Sequence, residues 1–499
     1  MNYFYKYILS SVINSINLYQ DRNAFLIKEE FYSYKQFGEY VSKIRIALKE
    51  GKISETKIGL IINDDIETYA SIFALWMEGK CYVPLNPNQP LDRFMDIVDQ
   101  IGTSLILDSS EEIRYTKDVV LNTKKLIYKN DCLGYEDTFY DEELAYILFT
   151  SGSTGKPKGV MITRGNLGMF MDSFWKTGIE INEEDRCLQC FDLTFDVSVQ
   201  SYLVALARGA CVYTVPHGQI KYVYASGLID NHKLTFVAMA PSMLRYMKPY
   251  FDEIDATDMK VCILTAEACP LSLIEDWYKC AVNAEIYDFY GPTEATIYCT
   301  YYKLTKEGEN KTLNGIISIG KPMANIEAII IDENNNFAAD GEIGELCVAG
   351  GQITPGYWNN PQCNEEYFFE KVINGNKLRF YHTGDLCYME PDGNIMYSGR
   401  LDYQAKIQGY RVELGEIEYH ARAFLRDKNA VAIAFNNEAC LTEIALFIES
   451  DAFNSEDLIK YLRSKIPSYM VPTRLFFEPI LPLNANDKID KNKLKKHII

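Results

Sequence analysis

Residues 144–159 read Leu144-Ala145-Tyr146-Ile147-Leu148-Phe149-Thr150-Ser151-Gly152-Ser153-Thr154-Gly155-Lys156-Pro157-Lys158-Gly159. The first six are an apolar run of strand length, and the next ten are a loop of hydroxyls, glycines and two ammonium groups. A buried strand that opens into such a loop presents unencumbered backbone N–H groups and cations to an anion, a natural arrangement for holding a polyphosphate. Taken alone, a Gly/Ser/Thr/Lys loop serves equally well as a solvated turn; its position directly after a buried strand favours the ligand. It is not a Walker A loop. That motif needs Gly-x4-Gly-Lys-Ser/Thr, whereas Pro157 stands five positions after Gly152, and Lys156 is followed by proline where a magnesium-binding hydroxyl would be.

Outward from this stretch, strand-length apolar runs recur at Phe236–Met239, Val261–Leu264 and Ile326–Ile331. Segments of helical period lie between them, such as Leu91, Phe94, Ile97, Val98 and Ile101 at three- and four-residue steps. The alternation predicts an α/β fold. From Asn325 onward short strands are separated by turns such as Glu333-Asn334-Asn335-Asn336 and Pro391-Asp392-Gly393-Asn394. The helical period returns over Ser455–Ile466, with Ser455 placed to cap, so the last hundred residues or so are expected to form a compact α+β unit. A single core stops growing near roughly 250–300 residues, so 499 residues predict at least two domains.

Composition removes several functions. With 69 Asp+Glu against 50 Lys+Arg the formal net charge is −19, which argues against a nucleic-acid partner, since that affinity comes from clustered cations. No stretch approaches the ~20 apolar residues of a membrane span. The opening segment to Tyr19 is broken by Ser10, Ser11, Asn14, Ser15 and Asn17 and reads as an ordinary first helix. Thirteen cysteines, mostly isolated in apolar runs such as those of Cys211, Cys262 and Cys347, suit reduced core thiols and a cytoplasmic location. Cys187 and Cys190 have redox or zinc spacing without a second ligand pair, which reads as core packing. The five histidines lie far apart in the chain, which excludes HExxH zinc chemistry, and no G-x-S-x-G elbow presents a nucleophilic serine.

The loop is one of ten motifs in a fixed order. Upstream stand Tyr32-Ser33-Tyr34 and Gly79-Lys80-Cys81-Tyr82-Val83-Pro84-Leu85. Downstream stand Phe195-Asp196-Val197-Ser198, Tyr290-Gly291-Pro292-Thr293-Glu294, Gly344-Glu345-Leu346, Tyr381-His382-Thr383-Gly384-Asp385-Leu386, the stretch Gly399–Glu418, Pro467-Ser468-Tyr469-Met470-Val471-Pro472 and Asn486-Asp487-Lys488-Ile489-Asp490. In these motifs the chain resembles the adenylate-forming superfamily of acyl-CoA synthetases, luciferases and peptide-synthetase adenylation domains. Within it, the chain is most similar to free-standing amino-acid adenylation enzymes. The matches run from residue 32 to 490, nearly the whole chain.

The resemblance implies a large, multi-subdomain N-terminal α/β domain over 1–401 and a small, mobile α+β C-terminal domain over 402–499 that rotates about Asp402. It implies a ligase that condenses a carboxylate with ATP, releases pyrophosphate and passes the acyl adenylate to a thiol. Such chemistry rests on positioning and charge neutralisation, which suits a site rich in hydroxyls and lysine and poor in histidine. By the same resemblance Thr150, Ser151, Gly152, Ser153, Thr154, Gly155 and Lys158 face the phosphates. Glu294 binds Mg²⁺, Thr293 lies near the α-phosphate, and Asp288, Phe289 and Tyr290 line the adenine. Asp385 grips the ribose hydroxyls with Tyr397 and Arg400 nearby. Lys488 bridges the reacting groups in the first step, and Lys406 with Gly409 serves the second. Two departures stand out: Asp288 replaces the usual asparagine but still accepts a hydrogen bond from adenine N6, and Asp487 replaces the glycine before Lys488.

Asp196 separates the subfamilies. A carboxylate there pairs with the ammonium of an amino acid, whereas fatty or aryl acids have nothing to neutralise, and an unpaired buried carboxylate is costly. The alternative reading is that Asp196 caps a helix. The specificity positions carried over are Asp196, Val197, Gln200, Ala238, Ile263, Thr265, Phe289, Ile297, Tyr298 and Lys488. Bulky Phe289 and Tyr298, with no charged lining besides the two ends at 196 and 488, imply a small neutral amino acid. Asp196, Val197, Gln200 and Ile263 are similar to the proline pattern, and D-alanine is the nearest rival. The chain stops soon after the lysine motif, so the acceptor is expected to be phosphopantetheine on a separate acyl or peptidyl carrier protein. An acyl-CoA or aryl-acid synthetase of the same superfamily is the alternative.

Overall fold

The structure is a computed structural model of the chain. It describes all residues except 1, 113–118, 129–132, 135–137, 153–154, 340, 402–403, 427, 452–454, 483–488 and 499, and leaves the side chains of 119 and 492 undescribed. The fold is α/β, as the alternating pattern predicts. Internal contacts divide the chain into two compact units. One comprises Met1–Pro87, Ile101–Leu148 and Gly159–Gly399, and the other Asn88–Gln100, Phe149–Lys158 and Arg400–Ile499.

Within the first unit a nine-stranded sheet runs, in spatial order, Lys321–Pro322, Thr300–Lys303, Glu285–Tyr290, Val261–Thr265, Phe236–Met239, Arg186–Gln189, Cys211–Thr214, Asn23–Ile27 and Glu30–Ser33. Its middle pairs are parallel, from Glu285–Tyr290 across to Asn23–Ile27. Parallel strands are covered on both faces, so their sequences are continuously apolar. Every residue of Phe236–Met239 and Val261–Thr265 is indeed buried. A second sheet orders Val119–Asn122, Leu105–Asp108, Lys57–Ile61, Cys81–Leu85, Leu144–Thr150 and Lys158–Thr163. A third, antiparallel sheet carries Ile326–Ile331, Gly344–Gly350, Asn376–Met389 and Phe368–Ile373, with Ile395–Arg400 alongside Asn376–Met389.

Two helices of this unit, Ile66–Met77 and Asp196–Leu206, are buried at every residue. Their sequences, IETYASIFALWM and DVSVQSYLVAL, are apolar nearly all round, the pattern of a helix enclosed by neighbours. The CxxC pair reads as packing: Cys187 and Cys190 belong to two different hydrophobic clusters, and Cys190 Sγ donates to the Ala238 carbonyl at 3.4 Å. Among the described cysteines all are free thiols, and only Cys363 and Cys440 are not buried.

In the second unit, strands Ala430–Asn436, Thr442–Glu449 and Arg474–Glu478 form a sheet whose core includes Ile417, Ala421, Leu458 and Leu462 from the helices Leu414–Leu425 and Glu456–Lys465. Ser455 sits at the cap position of the latter but is in the right-handed helical region, φ −83° and ψ −3°, and its side chain makes no capping bond. A capping hydroxyl normally needs an extended backbone to reach back to the helix N–H groups. The helix Leu91–Ile101 forms where its apolar period places it. Among the described residues no helix is long and apolar enough to cross a membrane.

Candidate functional site

Asp196 is the first residue of its helix. The cap position belongs to Phe195, whose side chain makes no capping bond, so Asp196 does not serve as the helix cap. Its residue is 4% exposed and its Oδ2 has no hydrogen-bond partner. Burial lifts this carboxyl to about 7. The Thr293 hydroxyl pulls it back down, the nearby Glu294 pushes it further up, and the N–H groups of Val197 and Asp196 at the helix start lower it. An acid that is costly to ionise in the free protein becomes easy to ionise beside a cation.

Gln200 lies one helical turn further along the same face and is fully buried. Its Oε1 accepts from the Tyr298 hydroxyl at 3.4 Å, while its Nε2 has no partner. The Tyr298 ring lies 4.9 Å from that of Phe289 and 6.0 Å from that of Phe170, centroid to centroid. Parallel register sets Ala238 beside Ile263 and Thr265 beside Phe289, and strand alternation turns Ile263, Thr265 and Phe289 to one face. Asp288 is on the opposite face of that strand from Phe289. Val197, Ala238, Ile263, Phe289, Ile297 and Tyr298 all belong to one apolar cluster.

The turn that delivers Ile297 and Tyr298 is unusual. It follows the short helix Thr293–Ala295, and two consecutive β-branched residues, Thr296 and Ile297, have φ of 58° and 74°. Left-handed backbone is unfavourable for such side chains and persists only where the surroundings over-determine it. Here Gln352 Nε2 donates to the carbonyls of Tyr298 at 2.7 Å and Ala295 at 3.3 Å, and Thr296 Oγ1 donates to the Gln352 carbonyl. Gly291 is required for a different reason, since a Cβ there would stand 2.5 Å from the Ile297 carbonyl oxygen and 2.6 Å from Tyr298 Cα. Glu294, buried on this turn, accepts from the Tyr357 hydroxyl at 2.7 Å, and its carbonyl takes the Thr354 N–H at 2.8 Å.

A second acidic group closes this part of the first unit. Asp385 is buried and accepts from the Tyr290 hydroxyl; its own N–H donates to Thr383 Oγ1 at 3.1 Å. Burial, with the neighbouring Asp385 carboxylate, raises the Tyr290 phenol well above its ordinary value, so it stays a donor. Glu345 braces the preceding turn by taking the Gly384 N–H at 2.9 Å and pairing with His382 at 2.8 Å. Tyr397 is half-buried on the strand Ile395–Arg400.

The loop residues 150–158 belong to the second unit. Ser151 Oγ donates to the Arg411 carbonyl and accepts from the Glu413 N–H, both at 3.0 Å. The Gly152 N–H donates to Glu416 Oε2 at 3.1 Å, and the fully buried Glu416 also pairs with Arg93. Thr150 Oγ1 reaches the Lys158 carbonyl at 3.5 Å. At Gly155, φ is +81° and an added Cβ would meet the Tyr419 ring at 2.3 Å. The loop amide thus already binds an anionic oxygen, the kind of acceptor a phosphate presents. Arg400 Nη2 donates to Gln404 Oε1 at 2.7 Å, and Lys406 stands in the hairpin Gln404–Ile407 and Tyr410–Glu413, turned by Gln408 and Gly409 at φ 51° and 83°. Ser153, Thr154, Asp402, Asp487 and Lys488 lie outside the described residues.

A protein-family profile described as AMP-binding enzyme matches residues 14–358. The chain belongs to this family. It is 32% identical over 490 residues to zwittermicin A synthase ZmaJ of Bacillus cereus, covering 95% of this chain and 92% of that one. It is 29% identical over 486 residues to tyrocidine synthase 1 of Brevibacillus parabrevis, covering 95% of this chain but only 44% of that one. In fold it is similar to the Vibrio cholerae adenylation domain AlmE, solved with glycyl-adenosine-5'-phosphate, with a TM-score of 0.86 and 23% identity over 98% of this chain and 97% of that one. The AMP-binding family places the chain among adenylate-forming enzymes, which activate acids with ATP.

Sequence reasoning missed several residues of this AMP-binding enzyme that hold its site in shape. Gln352, Tyr357, Glu345 and Glu416 act through hydrogen bonds to partners 39 to 264 positions away. Glu345 and Glu416 fall inside two of the ten motifs, but nothing in their spacing names the partner.

Proposed function

We propose that the chain activates a small neutral amino acid with ATP and passes the resulting aminoacyl group to the phosphopantetheine thiol of a carrier protein. The observation that carries this reading is Asp196, a buried carboxylate with an unpartnered oxygen beside an apolar wall. A zwitterion supplies the missing cation; a fatty or aryl acid does not. In the first step a substrate carboxylate oxygen attacks the α-phosphorus of ATP, the bond to the bridging oxygen breaks, and pyrophosphate leaves with its electron pair. In the second, a thiolate attacks the acyl carbon and AMP departs.

Asp385 accepts from the ribose hydroxyls, with Tyr290 holding one of its oxygens in place, and Asp288, Phe289, Tyr397 and Arg400 complete the nucleotide set. The loop residues Thr150, Ser151, Gly152, Ser153, Thr154, Gly155 and Lys158 take the phosphates. Glu294 would hold Mg²⁺, whose charge offsets that of the phosphates; one carboxylate with phosphate oxygens and water suits an ion that keeps few protein ligands. Lys488 meets the charge that builds in the first step, and rotation about Asp402 exchanges it for the Lys406 hairpin in the second.

The deciding experiment is ATP–pyrophosphate exchange across proteinogenic and D-amino acids, with fatty and benzoic acids included. The proline-like set Asp196, Val197, Gln200 and Ile263, and the D-alanine ligases, put proline and D-alanine in the panel. Exchange driven only by acids without an amino group would assign the chain to the acyl-CoA or aryl-acid synthetases instead. Lys488→Ala is expected to cut exchange about 100-fold. Lys406→Ala should leave exchange within about threefold while slowing thioester formation on the carrier. Equal loss of both steps in both variants would refute the division of labour.

A further inference from the structure

We propose that Glu345, Cys347 and His382 form a binding site for a zinc-type divalent cation, with three protein ligands and a fourth position open to water. None of the three is among the residues given to the nucleotide or the amino acid above, and the site stands whether or not that reading does.

The strands bring them together. Gly344–Gly350 and Asn376–Met389 pair antiparallel, and the register shifts between Glu345, which faces Leu386, and Cys347, which faces His382. Two steps along the first strand thus span four along the second, a bulge, and bulges re-aim side chains. Strand alternation puts Glu345 and Cys347 on one face, and His382 stands directly across from Cys347 on that same face. One side of the trio is apolar, since Cys347 packs with Ile329, Ile331, Ala349 and Phe380. The other is open: the side chains of Glu345 and His382 are 16% and 20% exposed, which gives an ion a way in.

The donor atoms converge. Cys347 Sγ lies 3.6 Å from His382 Nδ1, and Glu345 Oε2 lies 2.8 Å from the same nitrogen. Among the described residues this is the one group of three His, Cys, Asp or Glu side chains whose donor atoms all lie within 4.8 Å of one another. Zinc takes sulfur at about 2.3 Å and nitrogen or carboxylate oxygen at about 2.0–2.2 Å, which at tetrahedral angles sets the S···N edge at about 3.6 Å and the N···O edge at about 3.4 Å. The sulfur–nitrogen edge is already in place, and the carboxylate has to move by roughly 0.6 Å. Its other oxygen, Oε1, takes the Gly384 N–H at 2.9 Å, and the His382 ring rests against that of Phe369 with centroids 4.4 Å apart. Supporting contacts of this kind orient metal ligands.

Donor chemistry and charge select the class of ion. Zinc accepts a thiolate, an imidazole and a carboxylate together, whereas Mg²⁺ and Ca²⁺ prefer oxygen alone. Binding releases the thiol proton to solvent, after which two negative ligands balance the doubly charged ion and the partly buried site carries no net charge. The cation acting on this thiol, Lys371, is engaged elsewhere: its ammonium donates to the Asn335 carbonyl at 2.6 Å and lies 4.4 Å from the centre of the Phe337 ring. An ion held by both strands would tie the bulge shut beside the turn that carries Asp385.

The test is titration of the chelator-treated full chain with Co²⁺, with excess Mg²⁺ present to fill oxygen-only sites. Cobalt on a thiolate gives a near-ultraviolet charge-transfer band and, when tetrahedral, intense visible bands; both are expected at about one ion per chain and should be discharged by Zn²⁺. Cys347→Ala is expected to abolish the charge-transfer band, and His382→Gln to weaken cobalt binding at least about 100-fold, beyond what the loss of an outer partner costs. Cys440→Ser, at an exposed thiol, should bind as the native chain does. Zn²⁺ should raise the melting temperature of the native chain and of Cys440→Ser but not of the other two variants. No charge-transfer band in the native chain, a band that survives Cys347→Ala, or one lost in Cys440→Ser would each overturn the proposal. Where Cys347→Ala fails to fold, His382→Gln, whose side chain reaches the surface, decides alone: cobalt binding of native strength in that variant overturns the proposal.

Discussion

Asp196→Asn is expected to lower amino-acid-dependent exchange by at least about 1,000-fold and, at pH 8, to raise the melting temperature of the unliganded chain. The two effects share one cause. The folded carboxyl titrates near 7, against an ordinary value of 3.8. Between those values the folded chain holds a proton that the unfolded chain has released, so the stability of the free protein falls as pH rises from about 4 to about 7. Above 7 the whole penalty is present, of order 4 kcal/mol. Asparagine never ionises and escapes it, at the loss of the charge proposed to bind the ammonium.

The same carboxyl sets a pH profile. On the proposed reading only its ionised form pairs with the substrate, so kcat/KM for the amino acid should fall about tenfold per unit below pH 7, a limb absent from the residual activity of Asp196→Asn. Calorimetry at pH 5 and pH 8 checks the stability half: the variant should gain a few degrees at pH 8 and less at pH 5. A variant that melts lower at pH 8, or one that keeps its exchange rate, would remove the ammonium-binding role.

Asp385→Ala is expected to reduce kcat/KM for ATP about 1,000-fold. On the proposed reading, two charge-assisted hydrogen bonds to the ribose vanish together, each worth about 1.5–3 kcal/mol. The Tyr290 hydroxyl, which donates to this carboxylate, loses its acceptor as well. Comparison with 2′-deoxyATP isolates the ribose contribution: the native chain should discriminate strongly against it, and Asp385→Ala should not. Tyr290→Phe keeps the ring and should cost less than about tenfold. If Asp385→Ala still preferred ATP over 2′-deoxyATP to the native extent, the carboxylate would be a structural partner of Tyr290 and no more.

The parts of this fold that were legible in the sequence are those where one local pattern has one physical solution. The runs Phe236–Met239 and Ile326–Ile331 are strands within the same bounds: the first because a buried parallel strand must be apolar residue after residue, the second as an antiparallel strand at the end of its sheet that keeps Glu327 exposed. The loop after Leu144–Phe149 was legible through its composition. What it touches was not: the Gly152 amide meets Glu416, 264 positions away. Helix starts were less secure. Ser455 has the right chemistry for a cap and the wrong backbone, and Asp196, a plausible cap by type, stands one residue inside its helix. The charge of Asp196 could be read from one letter, but the unsatisfied donor of Gln200 could not, because it depends on which end of an amide Tyr298 occupies.

The left-handed pair Thr296 and Ile297 bears on how readily this turn could be altered by design or by drift. Backbone held in a sparsely populated region stores of order 1–3 kcal/mol per residue, and Gln352 keeps that wall from relaxing. Ile297→Gly would release that strain but would also strip a fully buried side chain from the core, a loss of about 2–5 kcal/mol that outweighs it. Packing outweighs tension at this bend, so the core holds the chain in a shape its own backbone would not choose.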